Sequence, residues 1–314
     1  MSGYASVAEE TRRALASVAR LESASIREPS SKALRMNLAA KQKLVSQLRA
    51  RLLEIAQQSS VEVCNYRLIQ VDNRRYGLLY VSESLLEYQH LFTQIHDAKK
   101  NGPKSRATYG GDVLAESLLE VGYTYSGSLG VVLLAPSEPS FFGGSLDASI
   151  DALFQVVEID STPAVKRVAS EFGNAVVKRA HDWSAANVRG GFDADVRWSR
   201  SDGRQLGQLI SRDQMDKIVG IIEASSDTSS EQMALMGTLV GIDLKAGTFH
   251  FVVPNGGDFR GALGPAFDRS STVVVNRNYI ASVLETSTTI YSTDQTKRDH
   301  TLLSLIDAPS PHAE

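Results

Sequence analysis

The chain contains one cysteine, Cys64, in 314 residues. This excludes an internal disulfide and any zinc site built from clustered cysteines. Cys64 stands in a β-type run beside Val63 and Tyr66, where a buried, unreactive thiol is expected. No stretch approaches the roughly 18 consecutive apolar residues of a membrane span. The opening residues place Glu9 and Glu10 where a signal peptide needs a positive end followed by an apolar core. These absences predict a cytoplasmic, soluble protein of prokaryotic type with no membrane partner.

Motifs for the common chemistries are missing too. There is no GxxxxGK[ST] loop, no strand–GxGxxG–helix unit, no HExxH pair and no Gly-x-Ser-x-Gly elbow. The pairs Gly110-Gly111, Gly143-Gly144 and Gly190-Gly191 fall between elements, where backbone freedom accounts for them. No cofactor is expected, and no catalytic set can be assigned.

What is present is an ordinary globular composition, 42% hydrophobic and 22% charged, on a chain long enough for two or three domains. The net charge of −3 hides an asymmetry, because residues 1–58 hold ten Lys/Arg against five Glu. Such polarity points to something negative meeting the N-terminal part, such as the acidic middle of its own subunit or of a neighbour.

The fold class read from these patterns is multidomain α+β, in three parts. Residues 1–58 form a basic helical hairpin: Ser6 and Glu9 are spaced as a capping box, and Tyr4, Val7, Thr11, Ala14, Val18 and Leu21 follow a coiled-coil seam. Pro29 breaks it, and Leu34, Leu38, Lys41, Val45, Leu48, Leu52 and Ile55 repeat the 3.5-residue spacing. Leu44 and Leu53 flank that second seam, more apolar edge than two helices hide. A four-helix bundle made with a second copy would cover it, and folding back on the rest of its own subunit is the alternative. Val18, Leu21, Leu34, Leu38, Val45, Leu48, Leu52 and Ile55 are therefore the candidate self-association residues.

Residues 59–228 read as a central domain organised around 118–136, two β-type runs about Ser126-Gly127-Ser128 that suit a central hairpin. Runs 61–71 and 74–81, joined at Asp72-Asn73, look like another hairpin. Ser84 and Glu87 then box a helix with the buried stripe Tyr88, Leu91, Phe92 and Ile95, stopped at Asn101-Gly102-Pro103. Thr162-Pro163 opens a helix whose stripe runs from Val165 to Trp183. In 192–198, Phe192, Ala194, Val196 and Trp198 alternate with Asp193, Asp195 and Arg197, and Ser211 with Gln214 boxes one more helix. Residues 225–230 read as a linker. From 229 to 307, runs at 239–244, 248–253, 259–263, 271–275 and 300–306 predict a small closed barrel, SH3-like or OB-like. Residues 308–314 read as a disordered tail.

Candidate sites are sparse. Asp193 and Asp195 point the same way from a strand and are the only metal candidates, with a solvated strand face balanced by Arg197 as the bland reading. His181 lies off its helix's apolar stripe and, with Asp193 and Asp195, defines the one enzyme hypothesis. Lys99, Lys100, Lys104 and Arg106 with nearby Tyr109 suit an anion or nucleic acid, although lysines at a helix C-terminus are already favoured by the macrodipole. Lys41, Lys43, Arg49 and Arg51 offer a second basic surface whose helix has no aromatic residue for base stacking. The loops at 102–112 and 137–144 are where activity is expected. The leading expectation is a non-catalytic binding or scaffold protein that forms a homo-oligomer, with a dimer favoured, and presents its barrel to a protein partner. Nucleic-acid binding through the two basic regions is the alternative.

Overall fold

A computed structural model describes residues 2–58, 61–71, 75–125, 128–136, 139–140, 143–254, 256–270 and 272–308. The chain divides into two compact units, 1–225 and 226–314. The first contains α1 (Ser2–Arg27), α2 (Lys32–Gln58), β1 (Val61–Gln70), α3 (Leu78–Asn101), α4 (Gly111–Ser117), β2 (Glu120–Tyr125) and β3 (Leu129–Pro136). It continues through β4 (Pro139–Ser140), β5 (Gly143–Gly144), α5 (Asp147–Val156), α6 (Thr162–Phe172), α7 (Asn174–Gly190), β6 (Phe192–Ser199), β7 (Gln205–Ile210) and α8 (Arg212–Glu223). The second unit holds β8 (Ser226–Asp243), β9 (Thr248–Val253), β10 (Gly257–Leu263), β11 (Arg277–Ile290) and β12 (Gln295–Asp307).

Five antiparallel strands in the order β2-β3-β1-β6-β7 form the sheet of the first unit. The middle strand is thus β1. The hairpin β2–β3, expected at the centre, takes one edge, because β1 pairs with β3 on one side and β6 on the other. A register shift between Val121 and Tyr123 interrupts β2, so Val121 is 66% exposed while Tyr123 is buried. A bulge of this kind interrupts the strand's inward–outward alternation.

Alternate residues of β1 face two helical layers. On one side Tyr66 accepts a hydrogen bond from Trp183 Nε1 at 2.9 Å and meets Ser84 Oγ at 2.9 Å, tying β1 to α7 and α3. The stripe Tyr88, Leu91, Phe92 and Ile95 is fully buried there, as its spacing predicts. Cys64 is also buried on this side, 3.4 Å from Tyr88 Oη, and burial pushes its thiol up to about 12. On the other side Val63 and Val132 join Val7, Ala14, Val45, Leu48 and Leu52 in one cluster. The helical hairpin therefore packs on its own sheet, the arrangement that hides most of its apolar edge within one chain.

Three expected elements are corrected. Residues 75–81 do not make a strand: α3 begins at Leu78, so Ser84 is an internal, buried helix residue whose hydroxyl bonds Asn187 Oδ1 at 2.8 Å rather than a cap. The turn Asp72-Asn73 lies outside the described residues, as do Ser126-Gly127 and everything from 309 onward. The long helix from Thr162 is two helices, broken at Gly173, whose φ is +91°. A Cβ there would overlap the backbone of Lys104, so only glycine admits the loop after α3. Ser211 caps α8 as expected, accepting from Gln214 N at 3.1 Å.

The second unit is a closed five-stranded barrel in the order β10-β12-β11-β8-β9. All pairings are antiparallel except β10 with β12. That one parallel pair gives the Greek-key connectivity of an OB-like barrel. Leu239, Phe249, Phe251, Tyr279, Ala281, Val283 and Leu302 fill it. Residues 225–230, expected as a linker, mostly belong to β8, and the fourth strand begins at Arg277 rather than at 271–275. Serine and threonine pairs across strands carry this polar stretch, including Ser230 with Thr286 at 3.2 Å and Thr228 with Thr288 at 3.4 Å.

Candidate functional site

The face of the sheet beneath α2 is only partly covered. A cleft of about 410 Å³ opens there, bounded by Arg49, Leu52 and Leu53 of α2, and by residues from four strands. Strand register arranges those residues in two rows. Tyr125, Gly130, Arg67 and Asp195 stand opposite one another across β2, β3, β1 and β6. Tyr123, Val132, Asn65 and Arg197 form the next row on the same face. Because side chains alternate with a period of two, both rows point into the cleft while Cys64, Tyr66 and Val196 point away.

Each part of this arrangement has a local cause. The Tyr125 ring lies over Gly130, where any Cβ would collide with it. Glycine at 130 thus lets the phenol extend across the sheet toward Arg67. The Arg49 guanidinium carbon stands 5.2 Å from the Tyr125 ring centroid, a cation–π contact. Asp195 is 4% exposed and accepts from Arg67 Nη2 at 2.9 Å and from Arg197 Nε at 2.9 Å. A carboxylate this buried requires such pairing. Burial raises the Tyr123 and Tyr125 phenols above their ordinary range, against the opposing pull of Arg49 on both and of Arg67 on Tyr125. Both therefore remain protonated hydrogen-bond donors at neutral pH.

Three guanidinium charges against one carboxylate leave the cleft at net +2. Arg67 Nε is buried without an acceptor, and Asp195 is the one hydrogen-bond partner of Arg67 among the described residues. The cleft thus offers cationic donors whose capacity its own residues do not exhaust.

The other candidates fall elsewhere. Asp193 does not share Asp195's environment: its Oδ1 accepts from the Arg212 backbone N–H at 2.7 Å, at the start of α8. No group of three or more His, Cys, Asp or Glu side chains suited to a metal occurs among the described residues. His181 sits on α7, on the opposite side of the sheet from Asp195, between Asp182 Oδ1 at 3.2 Å and Glu223 Oε1 at 3.4 Å. Lys99, Lys100 and Lys104 each face a carboxylate: Glu171 at 3.4 Å, Glu116 at 2.6 Å and Asp97 at 2.5 Å. Arg106 is exposed, and the Tyr109 hydroxyl is engaged by His90 Nδ1. Lys41, Lys43 and Arg51 are solvent-facing. Of the seam residues, Val45, Leu48 and Leu52 are buried against the sheet, and Val18 and Ile55 pack at that cluster's margin. Leu21, Leu34 and Leu38 are half-buried farther along the hairpin, outside it.

One constellation that spacing did not show is Ser149, His96 and Glu116. His96 Nδ1 is 3.1 Å from Ser149 Oγ, and Nε2 is 3.2 Å from Glu116 Oε2. It has the order of a nucleophile, a base and an orienting acid, but Ser149 is 1% exposed. These contacts join α3, α4 and α5.

The sequence reading missed Asn65, Arg67, Tyr123 and Tyr125, and treated Arg197 only as a balancing charge. A signal was available: Asn65 and Arg67 are the polar alternates in a run whose other members are Cys64, Tyr66 and Leu68. No helix among the described residues is long and apolar enough to cross a membrane. No protein-family model, curated protein or solved structure matches the chain.

Proposed function

We propose that this is a non-catalytic binding protein whose small-molecule ligand seats in the cleft between the helical hairpin and the sheet. The observation that carries this reading is the convergence of Arg49, Arg67 and Arg197, from three separate elements, on one concave space of about 410 Å³. Small-molecule sites typically occupy about 300–1,000 Å³, with mostly apolar walls and a few placed polar groups. The lining of Leu, Val and Tyr side chains with three arginines matches that description. No nucleophile–base pair faces the cleft among the described residues, and both oxygens of Asp195 already accept guanidinium N–H groups. Recognition, not bond-making, is what such a lining performs.

Native mass spectrometry of the full chain as purified tests this, comparing wild type with Asn65→Trp, which fills the cleft from β1. The expected result is a small-molecule adduct on the wild type that the variant has lost, with unchanged circular dichroism. Equal adducts on both proteins, or none on either, would refute the reading.

Self-association is a second reading, favoured by the outer half of the hairpin. Ile26 is 81% exposed and Met36 is 64% exposed, near the half-buried Leu21, Leu34 and Leu38. A second copy laid alongside would cover these residues in a four-helix bundle. Light scattering of the wild type reads this out as the mass of a dimer. The Lys99–Arg106 segment offers a nucleic acid less than its charge suggests, because Lys99, Lys100 and Lys104 already face carboxylates.

A further inference from the structure

Resting on the reading of the cleft as the ligand site, we infer that its ligand is a phosphate monoester of a small organic molecule, bound as a dianion by Arg67, Arg197 and Arg49. The first argument is charge. The net +2 of the cleft is matched by a phosphate monoester, which carries about −1.5 to −2 at pH 7. A monocarboxylate would leave half of that charge uncompensated in a partly desolvated space.

Geometry supplies the second argument. A guanidinium presents five donors in a planar fork suited to bidentate oxyanions. Asp195 engages Nη2 of Arg67 and Nε of Arg197, which leaves Nη1 of Arg67 and both terminal nitrogens of Arg197 to form forks. Asp195 also fixes both planes in register, since Arg67 and Asp195 are cross-strand partners and Arg197 lies two residues along β6. Arg67 and Arg197 are thus held in place before any anion arrives, which lowers the ordering cost of binding.

Size supplies the third. A bare phosphate would occupy a small part of 410 Å³. The remainder is walled by the Tyr123 and Tyr125 rings, which suit an organic body bonded to the phosphate. Asp195 then acts as an internal counter-charge that keeps the empty site stable and weakens anion binding. Removing its charge is expected to tighten binding, whereas a carboxylate that merely holds the cleft together would weaken it when lost.

Titration calorimetry on the full chain, at fixed ionic strength, uses glycerol phosphate, inorganic phosphate and succinate as probes. Glycerol phosphate is expected to bind at least about 10-fold more tightly than succinate and more tightly than inorganic phosphate. Arg197→Ala is expected to cost about 10-fold or more, the scale of one charge-assisted bidentate contact. The Arg197 side chain is 67% exposed, so that variant should keep its fold. Asp195→Asn is expected to tighten glycerol phosphate binding several-fold, and Arg67→Lys, which keeps the charge but loses the fork, to weaken it. Succinate binding as well as glycerol phosphate, or glycerol phosphate binding unmoved by Arg197→Ala, would overturn the inference. A phosphorus-free adduct that Asn65→Trp removes would also overturn it while leaving the cleft reading intact. The absence of any adduct sensitive to Asn65→Trp would remove both.

Discussion

Replacing Leu52 by alanine tests how the helical hairpin is held. Leu52 is 4% exposed and packs with Val45, Leu48, Val63, Tyr123 and Val132. Removing three carbons, at about 0.8 kcal/mol for each methylene equivalent, costs about 2.4 kcal/mol. A sealed cavity would add about 24 cal/mol per Å³. Leu52 borders the open cleft, however, so the vacated space joins solvent-accessible volume and this second contribution stays small. The expected loss is about 2.5–3 kcal/mol, the low end for a buried leucine. Urea unfolding followed by circular dichroism and by the fluorescence of Trp183 and Trp198 measures it. Those two tryptophans lie on the far side of the sheet, so coincident transitions would show that the hairpin and the core unfold together. Because the contacts are made within one chain, the loss should not vary with protein concentration. A loss under about 1 kcal/mol, or one that grows on dilution, would refute the docking of the hairpin on its own sheet.

Glu62 gives a pH-dependent expectation. It is buried, Ser201 donates to it twice at 2.7 Å, and burial raises its carboxyl against the opposing effect of those bonds and of Arg200. A raised folded-state value means that stability is greatest with the proton on, at and below the ordinary glutamate range of about 4.3, and is lost as pH rises through the folded value. Thermal melts of Glu62→Gln should therefore fall less than wild type between about pH 4 and pH 7, and parallel curves would count against this account. For self-association, Ile26→Glu combined with Met36→Glu should convert a dimer to a monomer in light scattering without altering helix content. A wild type already monomeric at high concentration would remove that reading.

The parts of the fold that were legible share a physical reason. The stripe Tyr88–Leu91–Phe92–Ile95 and the alternation Phe192–Ala194–Val196–Trp198 each lie within one element, so period alone reveals which face is buried. What escaped depended on contacts distant in sequence. Val168 and Val176 stay in phase across Gly173, and the break there is set by the Lys104 backbone, about 70 residues away in sequence. The polar start of β8 reads as a linker in isolation and becomes a strand only because β11 offers matching hydroxyls. Likewise the cleft draws Arg49, Arg67 and Arg197 from α2, β1 and β6, and of these only Arg49 was singled out. The leucine spacing marks an apolar face without naming what covers it, and for Val45, Leu48 and Leu52 the partner is the sheet.

Strand β1 serves two masters. Glu62, Cys64, Tyr66 and Leu68 are gripped by the core, while Asn65 and Arg67, set between them, form the floor of the cleft. A slip of one residue would exchange the two sets, sending Arg67 into the packed interior and Tyr66 toward solvent. The floor is therefore rigid by construction, and adaptation to a ligand's shape falls to the roof, where Arg49, Leu52 and Leu53 hang from α2. Changes in that helix would alter what the protein accepts. Changes in β1 would decide first whether there is a protein to accept it.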